Sequence, residues 1–144
     1  MPTTEASEVG AADLTGGCLC GAVRYRLASA PFDAGWCHCR TCQLNSGSPA
    51  MAFAKVLSDD FVIESGGERI RRYASSAVAE RWFCDHCGTP LLVRDFAGTT
   101  HDFSLATLDR PEAVIPEFHV FYASRIAWAD AGDDLPRFPR GRHE

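Results

Sequence analysis

The spacing of the cysteines constrains this chain more than any other feature of its sequence. Seven cysteines occur among 144 residues, and all of them fall in three tight groups. The middle group has the spacing C-x-C-x-x-C and consists of Cys37, Cys39 and Cys42. The two outer groups are pairs, Cys18 with Cys20 and Cys84 with Cys87. Thiolates at such short spacings can converge on one metal ion, at zinc–sulfur distances of about 2.3 Å.

Metal binding explains this pattern better than disulfide bonding does. The number of cysteines is odd, and the neighbours in a C-x-C pair are poorly placed to bridge each other. Seven of 144 residues is about 5%, below the roughly 8–10% that is typical of disulfide scaffolds. The first residues also lack the basic start and the apolar stretch of a secretory signal. We therefore expect a reducing cytoplasm as the compartment.

The cysteines divide into four plus three, and the two sets predict two different kinds of metal site. The outer pairs can together form a closed site, with four thiolates around a tetrahedral zinc ion. The middle triplet provides three ligands, which leaves one position for water, a substrate or a distant fourth side chain. A protein nitrogen for that position would have to come from His101 or His119. We predict two zinc ions per chain.

Composition and charge limit the partners of the chain. A hydrophobic content of 46% and a charged content of 23% are ordinary for a single globular domain. No apolar run approaches the roughly 20 residues that a membrane span needs. A formal net charge of -5 argues against a nucleic-acid-binding surface. We therefore expect neither a membrane nor a nucleic acid as a partner, and nothing in the sequence predicts an oligomeric state.

The pattern of apolar residues and turns predicts a mainly β fold with short sheets and little helix. Short strands are expected at intervals of about ten residues. Segments 61–64 and 70–73 flank a glycine-containing turn at 65–67 and predict a hairpin. Arg40–Ser46 can form one or two helical turns that end at Gly47.

Other candidate residues have simple structural explanations. The only dense basic cluster consists of Arg69, Arg71 and Arg72. For this cluster, a solvated strand edge is favoured over a pocket wall for an anionic ligand. His38 lies between two cysteines and would point to the opposite face of an extended segment, so an outer or packing role is favoured over a catalytic one. His86 is expected to be exposed.

Three motifs resemble those of one protein family. They read GGCLCGAVRY at 16–25, CHCRTC at 37–42 followed by SGSP at 46–49, and FCDHCGTPL at 83–91. Later segments agree: HVF at 119–121, ASR at 123–125, AW at 127–128 and LPRF at 135–138. On these residues the chain resembles the glutathione-dependent formaldehyde-activating enzyme and centromere protein V family, over about residues 15–139. Residues 1–14 would then be a flexible N-terminal tail, and residues 140–144 a C-terminal tail.

The resemblance implies a small zinc-containing β fold of the Mss4-like, β-tent type. It also implies a structural zinc ion held by Cys18, Cys20, Cys84 and Cys87. By the same resemblance, a second zinc ion marks the catalytic site at Cys37, Cys39 and Cys42. The implied activity is the addition of formaldehyde to the thiol of glutathione, which gives S-hydroxymethylglutathione. In reverse, this is a carbon–sulfur lyase reaction.

A zinc ion with three thiolate ligands also suits this chemistry on physical grounds. A thiol that arrives as substrate would be bound as thiolate, since zinc lowers the pKa of a thiol, and it could attack a nearby carbonyl carbon. We therefore predict a small thiol and a small aldehyde as partners. The alternative is a zinc-stabilised binding module without catalysis, in which a fourth protein ligand closes the three-cysteine site.

Overall fold

Strands make up most of the regular structure of the protein. The computed structural model describes residues 14–143. That part of the chain contains one α-helix, α1 (Arg40–Ser46), and ten strands. The strands are β1 (Thr15–Gly17), β2 (Arg24–Leu27), β3 (Phe32–Cys37), β4 (Met51–Leu57), β5 (Phe61–Ser65), β6 (Ile70–Ala74), β7 (Ala79–Cys84), β8 (Pro90–Asp95), β9 (Thr100–Ser104) and β10 (His119–Val120). None of the helices among these residues is long and apolar enough to span a membrane.

The ten strands form two separate open sheets. A small sheet has the order β1-β2-β5, with both of its pairs antiparallel. A large sheet has the order β10-β3-β4-β9-β8-β7-β6. Its pairs are antiparallel except at the edge, where the two-residue strand β10 runs parallel to β3. The prediction of a mainly β fold with short sheets and little helix is confirmed.

An apolar core lies where the two sheets meet. Tyr25 of the small sheet stacks on Phe61, with ring centroids 4.4 Å apart. The Tyr25 ring also meets Phe103 of the large sheet edge-on, at 6.2 Å. Leu14, which the sequence places in the tail, is buried in the same core. The rest of the predicted N-terminal tail, residues 1–13, lies outside the described residues.

The predicted hairpin at 61–73 is wrong, although both of its strands are present. β5 pairs with β2 in the small sheet, whereas β6 pairs with β7 in the large sheet. The strands separate because their apolar residues belong to different clusters. Phe61 packs in the core between the sheets, and Ile70 packs in a second cluster beside the buried Cys84. The chain crosses from one sheet to the other at Gly66, whose φ is 78°.

The basic cluster lies at an exposed sheet edge, as the sequence predicts. Arg71 and Arg72 belong to β6, the edge strand of the large sheet, and Arg69 directly precedes that strand. Their guanidinium groups lie 3.7–3.8 Å from the carboxylates of Asp85 or Glu80. Pairs of this kind, with solvated arginines, contribute little to stability.

Replacing Gly66 by alanine should destabilise the protein. The φ of 78° is unfavourable for any residue with a side chain, and a Cβ at this position would overlap the carbonyl oxygen of Ala22. We expect the free energy of unfolding to fall by about 1–3 kcal/mol or more. Gly67→Ala is the matched control, because its Cβ would meet only Ile63 Cγ2, at an ordinary 3.7 Å. Urea denaturation measures both variants, and equal stabilities would contradict the role given to Gly66.

Candidate metal centres and the adjoining pocket

The four outer cysteines converge at one point between the two sheets. Cys18 and Cys20 lie in the loop between β1 and β2 of the small sheet, and Cys84 and Cys87 lie where β7 turns into β8 of the large sheet. Their four Sγ atoms lie within 4.8 Å of one another. We call this set the four-cysteine cluster. Four sulfurs at this separation suit a tetrahedral ion, and no further ligand is needed to close the site.

Hydrogen bonds favour the thiolate form of two members of the four-cysteine cluster, Cys18 and Cys87. The backbone N–H of Val23 donates to Cys18 Sγ at 3.3 Å. Thr89 Oγ1 lies 3.3 Å from Cys87 Sγ, and this side-chain hydrogen bond is the main reason that the pKa of Cys87 falls to about 5. Hydrogen bonds to the charged form favour that form. The donor set therefore fits a metal ion, which binds cysteine as thiolate.

The three middle cysteines converge at the junction of β3 and α1. Cys37 ends β3, and Cys39 caps the helix, with its Sγ accepting a hydrogen bond from the Cys42 N–H at 3.3 Å. The three Sγ atoms lie within 4.8 Å of one another. We call this set the three-cysteine cluster. The helix ends as predicted at Gly47, whose φ is 72° and whose N–H donates to the carbonyl oxygen of Gln43.

The three sulfurs lie so close together that their thiols have different pKa values. Hydrogen bonds from Cys37 and then Cys42 lower the pKa of Cys39 to about 2. Hydrogen bonds with Cys39 and Cys42, followed by burial, raise the pKa of Cys37. The thiolate form is therefore favoured at Cys39, whereas the raised pKa values of Cys37 and Cys42 favour their protonated thiols. A metal ion that takes all three sulfurs must displace those protons, so binding is coupled to proton release.

Neither of the histidines considered as a fourth ligand joins the three-cysteine cluster. Within residues 14–143, the ligand atoms that come together there are the three sulfurs alone. His101 is buried between aromatic rings, 5.2 Å from the ring of Trp82 and 6.0 Å from that of Phe61. His119 is hydrogen-bonded to other partners, described below. A site with three protein ligands and an open position is typical of catalytic zinc, whereas structural zinc sites are closed.

A pocket of about 340 Å³ opens at the three-cysteine cluster. Apolar side chains form much of its lining, namely Phe53, Val93, Phe118, Val120 and Phe121. Charged and titratable side chains complete it: Asp33, Lys55, Arg81, Asp102, Arg142 and His143. A pocket with these walls can hold a small organic molecule against the sulfurs and restrict water around it.

One wall of the pocket is a row of residues across the large sheet. The strand register aligns Lys55 with Asp102, Asp102 with Val93, and Val93 with Arg81. With strands about 4.8 Å apart, this row is about 14 Å long between its end Cα atoms. Lys55 Nζ lies 3.0 Å from Asp102 Oδ1. Burial raises the pKa of Asp102, and the facing Lys55 opposes that effect.

The C-terminal segment forms the rim of the pocket. Arg142 lies in the predicted C-terminal tail, and its Nη1 is 2.7 Å from Asp33 Oδ1. The same guanidinium lies over the ring of Phe118, at 4.5 Å from the centroid. The segment at 141–143 is therefore part of the pocket.

A buried chain of polar groups lies beside the three-cysteine loop but does not line the pocket. His38 Nε2 is 2.8 Å from His119 Nδ1, and His119 Nε2 is 3.0 Å from the carboxylate of Asp133. Both imidazoles are almost fully buried, and His38 also packs against Tyr122. The expected packing role of His38 agrees with this arrangement. His86 is exposed, as predicted.

Arg81 contacts the three-cysteine cluster directly, and no pattern in the sequence predicts this contact. Its Nη2 lies 3.5 Å from Cys42 Sγ, and its Nη1 donates to Asn45 Oδ1 at 3.3 Å. In the sequence Arg81 is simply one of two adjacent charged residues in a strand, a pattern that does not distinguish a buried residue from an exposed one. Its partners are 36 and 39 positions away in sequence.

Comparison with known proteins identifies relatives of the chain. A family model described as glutathione-dependent formaldehyde-activating enzyme matches residues 13–124. A Schizosaccharomyces pombe protein named an uncharacterized lyase is 40% identical over 76 residues, and the match spans 53% of each chain. A Halomonas elongata protein whose name refers to glutathione-dependent formaldehyde activation is 28% identical over 128 residues, spanning 81% of this chain and 80% of the relative.

A solved structure has a similar fold. The crystal structure of a Rhodobacter sphaeroides protein superposes with a TM-score of 0.57 at 24% sequence identity. The match covers 71% of this chain and 97% of that chain. At this identity the similarity supports the fold alone.

Elemental analysis of the gently purified protein should find two zinc ions per chain. Each cluster places its sulfurs within 4.8 Å of one another, and thiolates at that separation suit zinc. All seven cysteines are free, so each of them is available as a ligand. A single ion per chain, or stable internal disulfides on a non-reducing gel, would contradict this prediction.

Loss of a cysteine should have different consequences in the two clusters. Cys18→Ser or Cys84→Ser should lower the melting temperature by on the order of 10 °C or more, because a metal ion that joins distant segments adds its binding energy to folding. Cys39→Ser should retain more of the stability, since its cluster lies within one short segment. Thermal melts compare the variants. An equal collapse of all three would contradict the division of roles.

Proposed function

Because the chain belongs to the glutathione-dependent formaldehyde-activating enzyme family, we propose that it is a zinc-dependent carbon–sulfur lyase. It adds a small thiol to a small aldehyde and catalyses the reverse cleavage. The family and the lyase name of a relative support a lyase-type enzyme. A glutathione-like thiol and a formaldehyde-like aldehyde are the proposed substrates, on the family description and the name of the Halomonas elongata relative.

One observation carries this proposal more than any other. The three-cysteine cluster brings together three metal-ligand atoms among the described residues, and it opens into a pocket rather than into a closed shell of side chains. A binding module would have no need for an incomplete ligand set that faces a cavity. An enzyme needs one, because a substrate must reach the ion.

The residues of the chain have distinct roles in the proposed reaction. Cys37, Cys39 and Cys42 would hold the zinc ion, which when bound lowers the pKa of a coordinating thiol. Phe53 and Phe118 restrict water near the sulfurs, which strengthens electrostatic interactions there.

The pocket also has polar groups for the rest of the substrate. Lys55 Nζ can donate hydrogen bonds, and the Asp102 carboxylate can accept them. Their position in the wall row suits the polar part of a thiol or the oxygen of an aldehyde. Arg142 and Asp33 offer a second pair of such groups at the rim.

The four-cysteine cluster is proposed to be structural. It has a complete set of four sulfur ligands, and its residues lie outside the pocket lining. Its zinc ion would hold the small and the large sheet together, with no position left for a substrate.

Cobalt substitution tests whether a thiol reaches the open position. Thiolate ligation to cobalt absorbs light, so adding glutathione should change the visible spectrum of the wild-type protein. The same addition should leave the spectrum of Cys39→Ser unchanged. A change with another thiol but not with glutathione would keep the mechanism and replace the substrate.

NMR exchange spectroscopy then tests catalysis itself. The rate of hemithioacetal formation from glutathione and formaldehyde should rise with the concentration of the wild-type protein and not with that of Cys39→Ser. No acceleration over the spontaneous reaction, together with no spectral change for any common thiol, would favour the zinc-stabilised binding module.

A further inference from the structure

Arg81 has a buried guanidinium group with no carboxylate partner in the described part of the chain. Its relative exposure is 8%, and among residues 14–143 no aspartate or glutamate lies within ion-pair distance of it. Its Nη1 donates to Asn45 and its Nη2 to Cys42 Sγ, while its Nε has no hydrogen-bond acceptor in the described part of the chain. A buried charge without a counter-ion is costly, so this arrangement requires an explanation.

The adjacent acid, Glu80, cannot supply the missing negative charge. Successive residues of a strand point to opposite faces of the sheet. Glu80 therefore faces away from the pocket, where its carboxylate accepts hydrogen bonds from Trp82 Nε1 at 2.7 Å and Arg94 Nη1 at 3.3 Å. Arg81 faces the pocket, in register with Val93.

The two carboxylates that line the pocket in the described part of the chain are already paired with other cations. Asp102 faces Lys55, and Asp33 faces Arg142. Among residues 14–143, the contact of Arg81 that becomes anionic when it binds a metal ion is the sulfur of Cys42.

We propose that Arg81 is the counter-ion of the three-cysteine cluster, a positioning residue that balances the charge of its thiolates and holds the Cys42 sulfur in place. Three thiolates and one divalent ion carry one net negative charge, which the guanidinium neutralises. When a ligand then binds as an anion, the site carries one net negative charge with Arg81 present and would carry two without it. Arg81 therefore favours retention of the ion and binding of anionic sulfur ligands over neutral ligands. This inference relies on the metal binding of the proposed function but not on its catalytic step.

The experiment compares charge removal with charge retention at this position. Arg81→Met and Arg81→Gln remove the charge, and Arg81→Lys keeps it. Asn45→Ala removes the second hydrogen bond but leaves the guanidinium. Arg26→Met is the matched control, because Arg26 pairs with the exposed Glu64 on the small sheet, away from the pocket. Thermal melts establish that each variant is folded.

The first readout is release of zinc to a chromophoric chelator. In Arg81→Met and Arg81→Gln, one of the two ions should leave roughly ten- to a hundredfold faster than in the wild-type protein, the range of a lost charge-assisted hydrogen bond. The second ion should leave at the wild-type rate. Arg81→Lys should restore most of the retention, and Arg26→Met should behave as wild type.

The second readout is ligand selectivity of the cobalt-substituted protein. Removing the charge should weaken binding of 2-mercaptoethanol about tenfold or more and leave binding of the neutral ligand imidazole unchanged. Unchanged zinc release and thiol affinity in folded Arg81→Met would overturn the proposal. Equal defects in Asn45→Ala and Arg81→Met would also overturn it, because Arg81 would then only support the helix. The two proposals can fail separately. If the Arg81 variants release zinc faster but the wild-type protein does not accelerate thiol addition, the proposed function is contradicted and this inference stands.

Discussion

The convergence of four sulfurs between the two sheets is the interaction on which the rest of the structure depends. Cys18 and Cys20 extend from the small sheet, and Cys84 and Cys87 extend from the large one. The sulfurs of Cys20 and Cys84 are in contact although the two residues are 64 positions apart in sequence. The core at Tyr25 joins the same two sheets, but each sheet alone is short and open. In a protein of this size, a metal ion can supply folding energy that a modest core does not. An ion held by these four sulfurs would fix the large sheet, which carries the pocket, against the small sheet.

The ligands of the three-cysteine cluster come from one short segment and not from two sheets. This difference is consistent with one open and one closed site in the same chain. The short segment ends β3 and begins α1, with Cys39 as the helix cap. An ion there cross-links nothing distant, so its coordination can remain incomplete without loss of the fold. The sheet then provides what the segment lacks, which is apolar wall residues, the Lys55–Asp102 ion pair and the buried guanidinium of Arg81. The C-terminal segment adds the Arg142–Asp33 pair at the rim.

The three short groups of cysteines were predictable as candidate ligands because spacings such as C-x-C and C-x-x-C are local. The meeting of the two outer pairs depends on how the two sheets pack, across 64 residues between Cys20 and Cys84. The helix and its end at Gly47 were predictable from local sequence, since Gly47 adopts the left-handed conformation typical of such ends. The hairpin at 61–73 was wrong because the choice of strand partners depends on distant residues, here β2 and β7. The wall row of the pocket was beyond prediction, because only the register of four strands places Lys55, Asp102 and Arg81 in one row. The C-terminal rim depends on Arg142 reaching Asp33, which is 109 residues away.

The central claim is that one metal site is closed and the other is open to a ligand. Cadmium-113 NMR of the fully substituted protein tests it most directly, because each bound ion gives a signal that reports its own ligands. Two signals are predicted, and one equivalent of glutathione should shift only one of them. In Cys39→Ser, the signal that responds should be displaced or lost while the other is retained. Two signals that both ignore every small thiol, or that both shift on its addition, would contradict the account.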